Sequence, residues 1–210
     1  RPFAEVPVRA AADYCCADSD FALRLRSVLG STLADHRLDE LFRDVEVPLV
    51  AVLADMEWEG IAIDRELFAR LTGEFREELR AIEQATYAAA GTEFNLNSNP
   101  QLRHVLFEKL QLPMLKKGKT GPSTDADVLE ELAAMGHEVP RLLLEYRELA
   151  KLLSTYLETL PAEVHPETGR IHTSFNQIGA TTGRLSSTRP NLQNIPVRSA
   201  RGEGIRRGFV

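Results

Sequence analysis

Apolar residues recur at helical spacing along most of this chain and alternate at strand spacing in one short stretch near its end. Phe21, Leu25, Val28 and Leu29 predict a helix over residues 14–29. A second helix should follow with Pro48 in its first turn, where a missing N–H costs nothing, and with Leu49, Val52, Leu53 and Met56 as its stripe. Gly60 ends it, and the apolar run 61–63 predicts a strand-like link. Asp64 can N-cap a long third helix with apolar positions Leu67, Phe68, Leu71, Phe75, Leu79, Ile82 and Thr86, closed by Gly91. Behind the cap candidates Ser98 and Asn99, Pro100 opens a helix containing Leu102, Val105, Leu106 and Leu110. Thr124 with Asp127 three residues on has capping-box spacing and precedes Val128, Leu129 and Leu132.

The sharpest pattern lies at 140–160. Leu142, Tyr146, Leu149, Leu153, Tyr156 and Leu160 step by four and three, which makes one narrow apolar stripe on a helix. Arg147, Lys151 and Ser154 fall on the other side, about 140–160° away at helical pitch. After Pro161, the alternation of Ile171, Thr173 and Phe175 with His172, Ser174 and Asn176 predicts a strand.

Composition is that of globular material, with 43% hydrophobic residues over 210 positions, room for one large domain or parts of two. No run approaches the roughly 20 apolar residues of a membrane span, and no signal peptide opens the chain. The start at Arg1 and the end at Phe209–Val210 are expected of a piece of a longer protein. Cys15 and Cys16 are adjacent and cannot staple distant segments, so a reducing cytoplasm is the default setting. The net charge of -6 argues against nucleic acid until it is divided along the chain. Residues 170–210 hold 7 Lys and Arg against 1 acidic residue, a local excess where a phosphate partner would need it. Lys116, Lys117 and Lys119 form a second basic cluster, in a loop containing Gly and Pro.

Candidate chemistry concentrates in residues 182–198, which read T-G-R-L-S-S-T-R-P-N-L-Q-N-I-P-V-R. Gly183, Pro190 and Pro196 should break regular structure and hold Arg184, Asn191, Gln193 and Asn194 on a shaped loop. In the minor groove of a duplex, purine N3 and pyrimidine O2 acceptors sit in nearly the same place in all four pairs. Donors such as Arg184, Gln193 and Asn194 aimed there would read geometry rather than base sequence.

This run resembles the stretch before the first catalytic motif of family A DNA polymerases, the bacterial polymerase I type. The resemblance extends to Y-R-E-L-A-K-L-L-S-T-Y (146–156), which is similar to the family's long thumb helix, and to F-N-L-N-S-N-P-Q-L, L-K-K-G-K-T-G and P-S-T-D between 94 and 125, similar to the thumb tip. It implies primer-template contacts by Arg184, Asn191, Gln193, Asn194 and Arg198, and phosphate contacts by Arg147 and Lys151. Asn97, Ser98, Ser123 and Thr124 can cap helices, and the N–H groups at such helix starts also suit phosphate. Two departures stand out: Arg189 occupies a position that is usually acidic, and Leu153 one that is commonly lysine.

Tyr14 and Asp18 lie at i and i+4, on one helix face. Placed before a polymerase-type segment, they resemble the third motif of a 3′-5′ exonuclease domain, in which the aspartate ligates a metal and the tyrosine orients the attacking water. The resemblance as a whole implies a mostly α fold: a helical thumb, a short β segment entering an α+β palm, and an N-terminal helix from an α/β exonuclease domain. The expected division is 1–30 for the end of the exonuclease, 31–168 for the thumb and its base, and 169–210 for the start of the palm, stopping before the catalytic aspartates. Such a chain alone would not polymerise. The implied reaction is extension of a primer 3′-hydroxyl by dNTPs, with two Mg²⁺ ions per active site, in a cytoplasmic, nucleoid-associated monomer with no membrane partner. A non-catalytic DNA-binding module and an enzyme acting chiefly as an exonuclease remain open beside it.

Overall fold

The computed structural model describes residues 2–118, 121–196 and 199–210, and divides into two compact units, 1–58 and 59–210. Among the described residues no helix is long and apolar enough to cross a membrane.

The first unit is helical. Helix α1 runs Val8–Asp35, longer at both ends than the periodicity predicts, and buries none of its residues. A short α2 (Asp39–Leu41) passes through a π turn (Phe42–Glu46) directly into α3 (Val47–Glu59). Pro48 thus lies in the first turn of α3, as the sequence predicts, but α3 continues the helical path without a break. The π turn makes this tolerable, because a proline lacks an N–H and crowds the carbonyl four residues back, and widening the preceding turn moves that carbonyl. Leu25, Leu29, Leu33 and Phe42 line an apolar hollow of about 830 Å³ within this unit.

The second unit is built on α4 (Arg65–Ala90). Asp64 caps it, its Oδ1 accepting the Leu67 N–H at 2.9 Å, and Gly91 closes it in the left-handed conformation, as the sequence predicts. The stripe Phe68, Leu71, Phe75, Ile82 and Thr86 is buried. Then come α5 (Asn99–Arg103), a π turn (His104–Lys109), and a two-residue hairpin, β1 (Lys117–Gly118) with β2 (Gly121–Pro122), where only a loop is expected. Helix α6 (Ala126–Ala134) and α7 (Glu138–Leu152) follow, and α7 packs on both α4 and α6.

The helix read as 140–160 is in fact α7, a π turn (Leu153–Leu157) and a last turn, α8 (Thr159–Ala162). Its whole predicted stripe is buried. Where the helical ladder widens, Thr159 Oγ1 donates to the Ser154 carbonyl at 2.7 Å.

Beyond it, the backbones of Ile61 and Ile171 pair, as do those of Ile63 and Phe209, so the link 61–63 lies between two later segments. Gly60 makes this approach possible: its φ is +64°, and a Cβ there would meet the Ile171 carbonyl oxygen at 2.7 Å. The strand expected over 171–176 is regular only at β3 (Ser174–Asn176), which pairs antiparallel with β4 (Ser186–Thr188) in the register Phe175↔Ser187. A strand inside 182–198 is a correction, since that run reads as irregular throughout. Helix α9 (Ala200–Arg206), capped by the Ser199 hydroxyl, ends the fold and has no counterpart in the sequence reading. The architecture is thus mostly helical with two small antiparallel sheets, the class expected.

Candidate nucleic-acid interface

Two groups of polar side chains form in the second unit. The first joins the segment before α5, the segment before α6, and α7. Asn97 donates through Nδ2 to the Tyr146 hydroxyl at 3.3 Å. The Thr124 hydroxyl donates to Asn99 Oδ1 at 3.2 Å, and Arg147 donates through Nη1 to the Thr124 carbonyl at 2.6 Å. Ser123 Oγ accepts the Asp125 N–H at 3.1 Å.

The expected caps are rearranged accordingly. Ser98 holds the N-cap position of α5 without a side-chain bond, and Asp125, not Thr124, is the N-cap residue of α6. The Thr124–Asp127 capping box does not form, because the Thr124 hydroxyl is drawn to Asn99 instead. Arg147 is half-buried here, and that burial pulls its guanidinium below the ordinary value while the charge of Asp125 pushes it back up. Lys151, one turn further along α7, is exposed.

The second group is the loop between β4 and α9. Its side chains Asn191, Gln193 and Asn194 are exposed, as is Arg184 before β4. Its backbone is held from within. Thr173 Oγ1 lies 2.7 Å from the Pro190 carbonyl and 3.1 Å from that of Thr188, Ser187 Oγ accepts the Leu192 N–H at 3.0 Å, and the Tyr156 hydroxyl donates to the Asn194 carbonyl. Two exposed side chains also shape the loop: Asn191 Oδ1 accepts the Gln193 N–H at 3.0 Å, and Gln193 Nε2 donates to the Leu185 carbonyl at 2.7 Å. Tyr156 and Thr173 were legible only as apolar-stripe and strand positions, and Ser187 only as part of an irregular run, since nothing in a sequence shows which buried hydroxyl meets which backbone group. Arg198 and Lys119 lie outside the described residues.

The basic excess after residue 170 divides in the same way. Arg201 pairs with Glu78 of α4 and Glu148 of α7, Arg207 with Glu203, and Arg170 with Glu59. Burial pulls Arg201 down, but the Glu78 hydrogen bond and the charges of Glu78, Glu148 and Glu145 outweigh it and raise it. Arg170 and Arg201 are partly buried against the fold, whereas Arg207, like Arg184, Arg189 and Arg206, is exposed.

In the first unit, Tyr14 and Asp18 are both exposed on α1.

The family model described as DNA polymerase family A matches residues 65–210, from the first residue of α4 through α9. This chain belongs to DNA polymerase family A. Relatives named DNA polymerase I match nearly all of it: that of Rhizobium leguminosarum is 47% identical over 98% of the chain, and that of Pseudomonas aeruginosa 46% identical over 99%. Those alignments take in 20% and 23% of the two relatives, so the chain spans about a fifth of their length. Among solved structures, the polymerase domain of Pol1 from M. smegmatis, in complex with DNA primer-template and dNTP, is 43% identical with a TM-score of 0.82, covering 90% of this chain and 33% of that one.

Family A polymerases are generally metal-dependent. The described residues of this family member contain no group of three or more His, Cys, Asp or Glu able to hold a metal ion. Asp18 by itself offers one carboxylate, too few for a hard divalent cation that takes about six oxygen ligands. The segment in hand therefore does not fit a metal centre of its own.

Proposed function

We propose that this chain is the thumb and the beginning of the palm of a DNA-directed DNA polymerase that extends a primer 3′-hydroxyl with dNTPs on a DNA template. One observation carries the reading: exposed Asn191, Gln193 and Asn194 stand on an internally braced loop, with exposed Arg184 just before β4, in a chain 43% identical to a polymerase domain solved with primer-template and dNTP. In this proposal those residues, with Arg198, meet the primer-template end. Lys151, the donors of Arg147 not used by Thr124, and the segments at Asn97–Ser98 and Ser123–Thr124 meet the phosphate backbone. Residues 31–168 are the thumb and its base and 169–210 the palm's first part. Mg²⁺ would serve the intact enzyme through carboxylates elsewhere, and the enzyme would work as a cytoplasmic, nucleoid-associated monomer. Primer extension by the intact polymerase with Arg184→Ala tests the reading. A matched primer end should be extended about tenfold more slowly or worse, the effect of losing one charged or bidentate contact. A wild-type rate would refute it.

A second reading concerns residues 1–30 as the end of a 3′-5′ exonuclease domain. It is supported by the exposure of Tyr14 and Asp18 one helical turn apart on α1. Asp18→Ala in the intact protein should abolish removal of a mismatched 3′ nucleotide while primer extension continues. Undiminished removal would return both residues to ordinary helix surface.

A further inference from the structure

The loop that carries Asn191, Gln193 and Asn194 is tied at several points to parts of the unit remote in sequence. Ser187 belongs to the small sheet that leads into it and Thr173 lies directly before that sheet's first strand, and both are buried, at 1% and 6% exposure. Tyr156 comes from elsewhere. It lies in the π turn that continues α7, its ring is 2% exposed, and its hydroxyl reaches the Asn194 carbonyl across 38 positions of sequence. A few residues on, Arg201 of α9 bonds Glu148 of α7 at 3.2 Å. The stretch from Asn194 to Arg201 is thus anchored at each end to the same helical column, which also carries Arg147 and Lys151.

Burial alone is the simpler account of Tyr156, since a ring in the core needs some acceptor for its hydroxyl. The choice of acceptor argues for more. A bond to a neighbouring helix carbonyl would satisfy the hydroxyl equally well, whereas this one holds the backbone immediately after two exposed amide side chains, Gln193 and Asn194. Burial also raises the phenol above its ordinary value, so it remains a donor throughout the neutral range.

We infer that Tyr156 is a positioning residue for recognition of the primer end: through the Asn194 carbonyl it sets the placement of Gln193 and Asn194 and makes that placement depend on the helix lying along the duplex. The inference rests on the reading of this loop as a primer-template contact. A shift of α7 would be passed to the loop by a short, rigid link, so helix position and base-pair inspection would be coupled.

The test is a cycle in the intact polymerase comprising Tyr156→Phe, Gln193→Ala and the double variant, followed by single-turnover extension, primer-template affinity and melting temperature. Tyr156→Phe keeps the ring and removes one hydrogen bond, so extension at saturating DNA should slow about fivefold. Affinity and dNTP KM should hold, and any fall in melting temperature should be too small to account for the slowing. Because the effect passes through the loop, the double variant should lose clearly less than the product of the single losses. A multiplicative loss, a drop in melting temperature that accounts for the slowing, or a wild-type rate in Tyr156→Phe overturns the inference. If Gln193→Ala is impaired and Tyr156→Phe is not, the inference fails and the reading of the loop stands. Wild-type extension by Gln193→Ala removes both.

Discussion

Around α5, α6 and α7 the polar side chains face one another, whereas on the loop before α9 they face outward from a backbone held by buried hydroxyls. Asn97 meets Tyr146, Thr124 meets Asn99, and Arg147 meets the Thr124 carbonyl, so the first group knits three segments together through its side chains. In the second group the knitting is done by Thr173, Ser187 and Tyr156, while Arg184, Asn191 and Asn194 are exposed. The difference separates residues that build a surface from residues that can be presented on one. A donor already paired at low exposure gains little from a phosphate, because its first bond must be kept or replaced. A donor on a braced backbone can meet a ligand without ordering the chain first.

The largest effect should come from removing the support common to both groups. Leu149 is fully buried in α7, between the turn bearing Tyr146 and Arg147 and the π turn bearing Tyr156. Leu149→Ala should destabilise the unit by about 2–5 kcal/mol through lost apolar contact and a cavity, read as a lowered melting temperature of the polymerase. Next, Arg147→Ala leaves a carbonyl without its donor and should cost about 1–3 kcal/mol of stability. The Arg184→Ala protein should melt like the wild type while extending primers about tenfold more slowly or worse. An Arg147 variant as stable as the wild type, or an unstable Arg184 variant, would reverse the contrast between the two groups. The smallest effect is expected at exposed Lys151. Lys151→Ala should weaken binding to all duplex sequences alike and flatten the plot of log affinity against log salt by about 0.9. An unchanged slope would leave Lys151 as solvated helix surface.

How much of this was legible in advance differs between the groups. The stripes of α4 and α7, the Asp64 cap and the Gly91 stop could be read directly, because period and cap chemistry are local. Arg147 illustrates the limit: its angle on the helix is right, yet angle alone does not reveal that the segment before α6 crosses above it and offers a carbonyl. The charge excess after residue 170 shows the same limit, since Arg170 and Arg201 find carboxylates far away in sequence.

The two units make the same point about burial. Both contain well-patterned helices, but α1 buries none of its residues and, among the described residues, Leu53 is the one buried apolar residue of the first unit, while α4, α6 and α7 enclose a continuous core in the second. Amphipathic pattern states that a helix has a face to cover, and says nothing of what covers it.

By itself the sequence determined the long helices and their apolar faces, the run 182–196 that bears the exposed donors, and the family, because spacing and contiguous motifs are properties of neighbouring residues. Only the tertiary structure decided which donors are held inward, where π turns accommodate Pro48 and the turn after α7, and that Tyr156 reaches Asn194. Those outcomes depend on which segments meet across tens of residues, and a hydrogen bond needs its partner within about 3 Å, a condition that linear order does not encode.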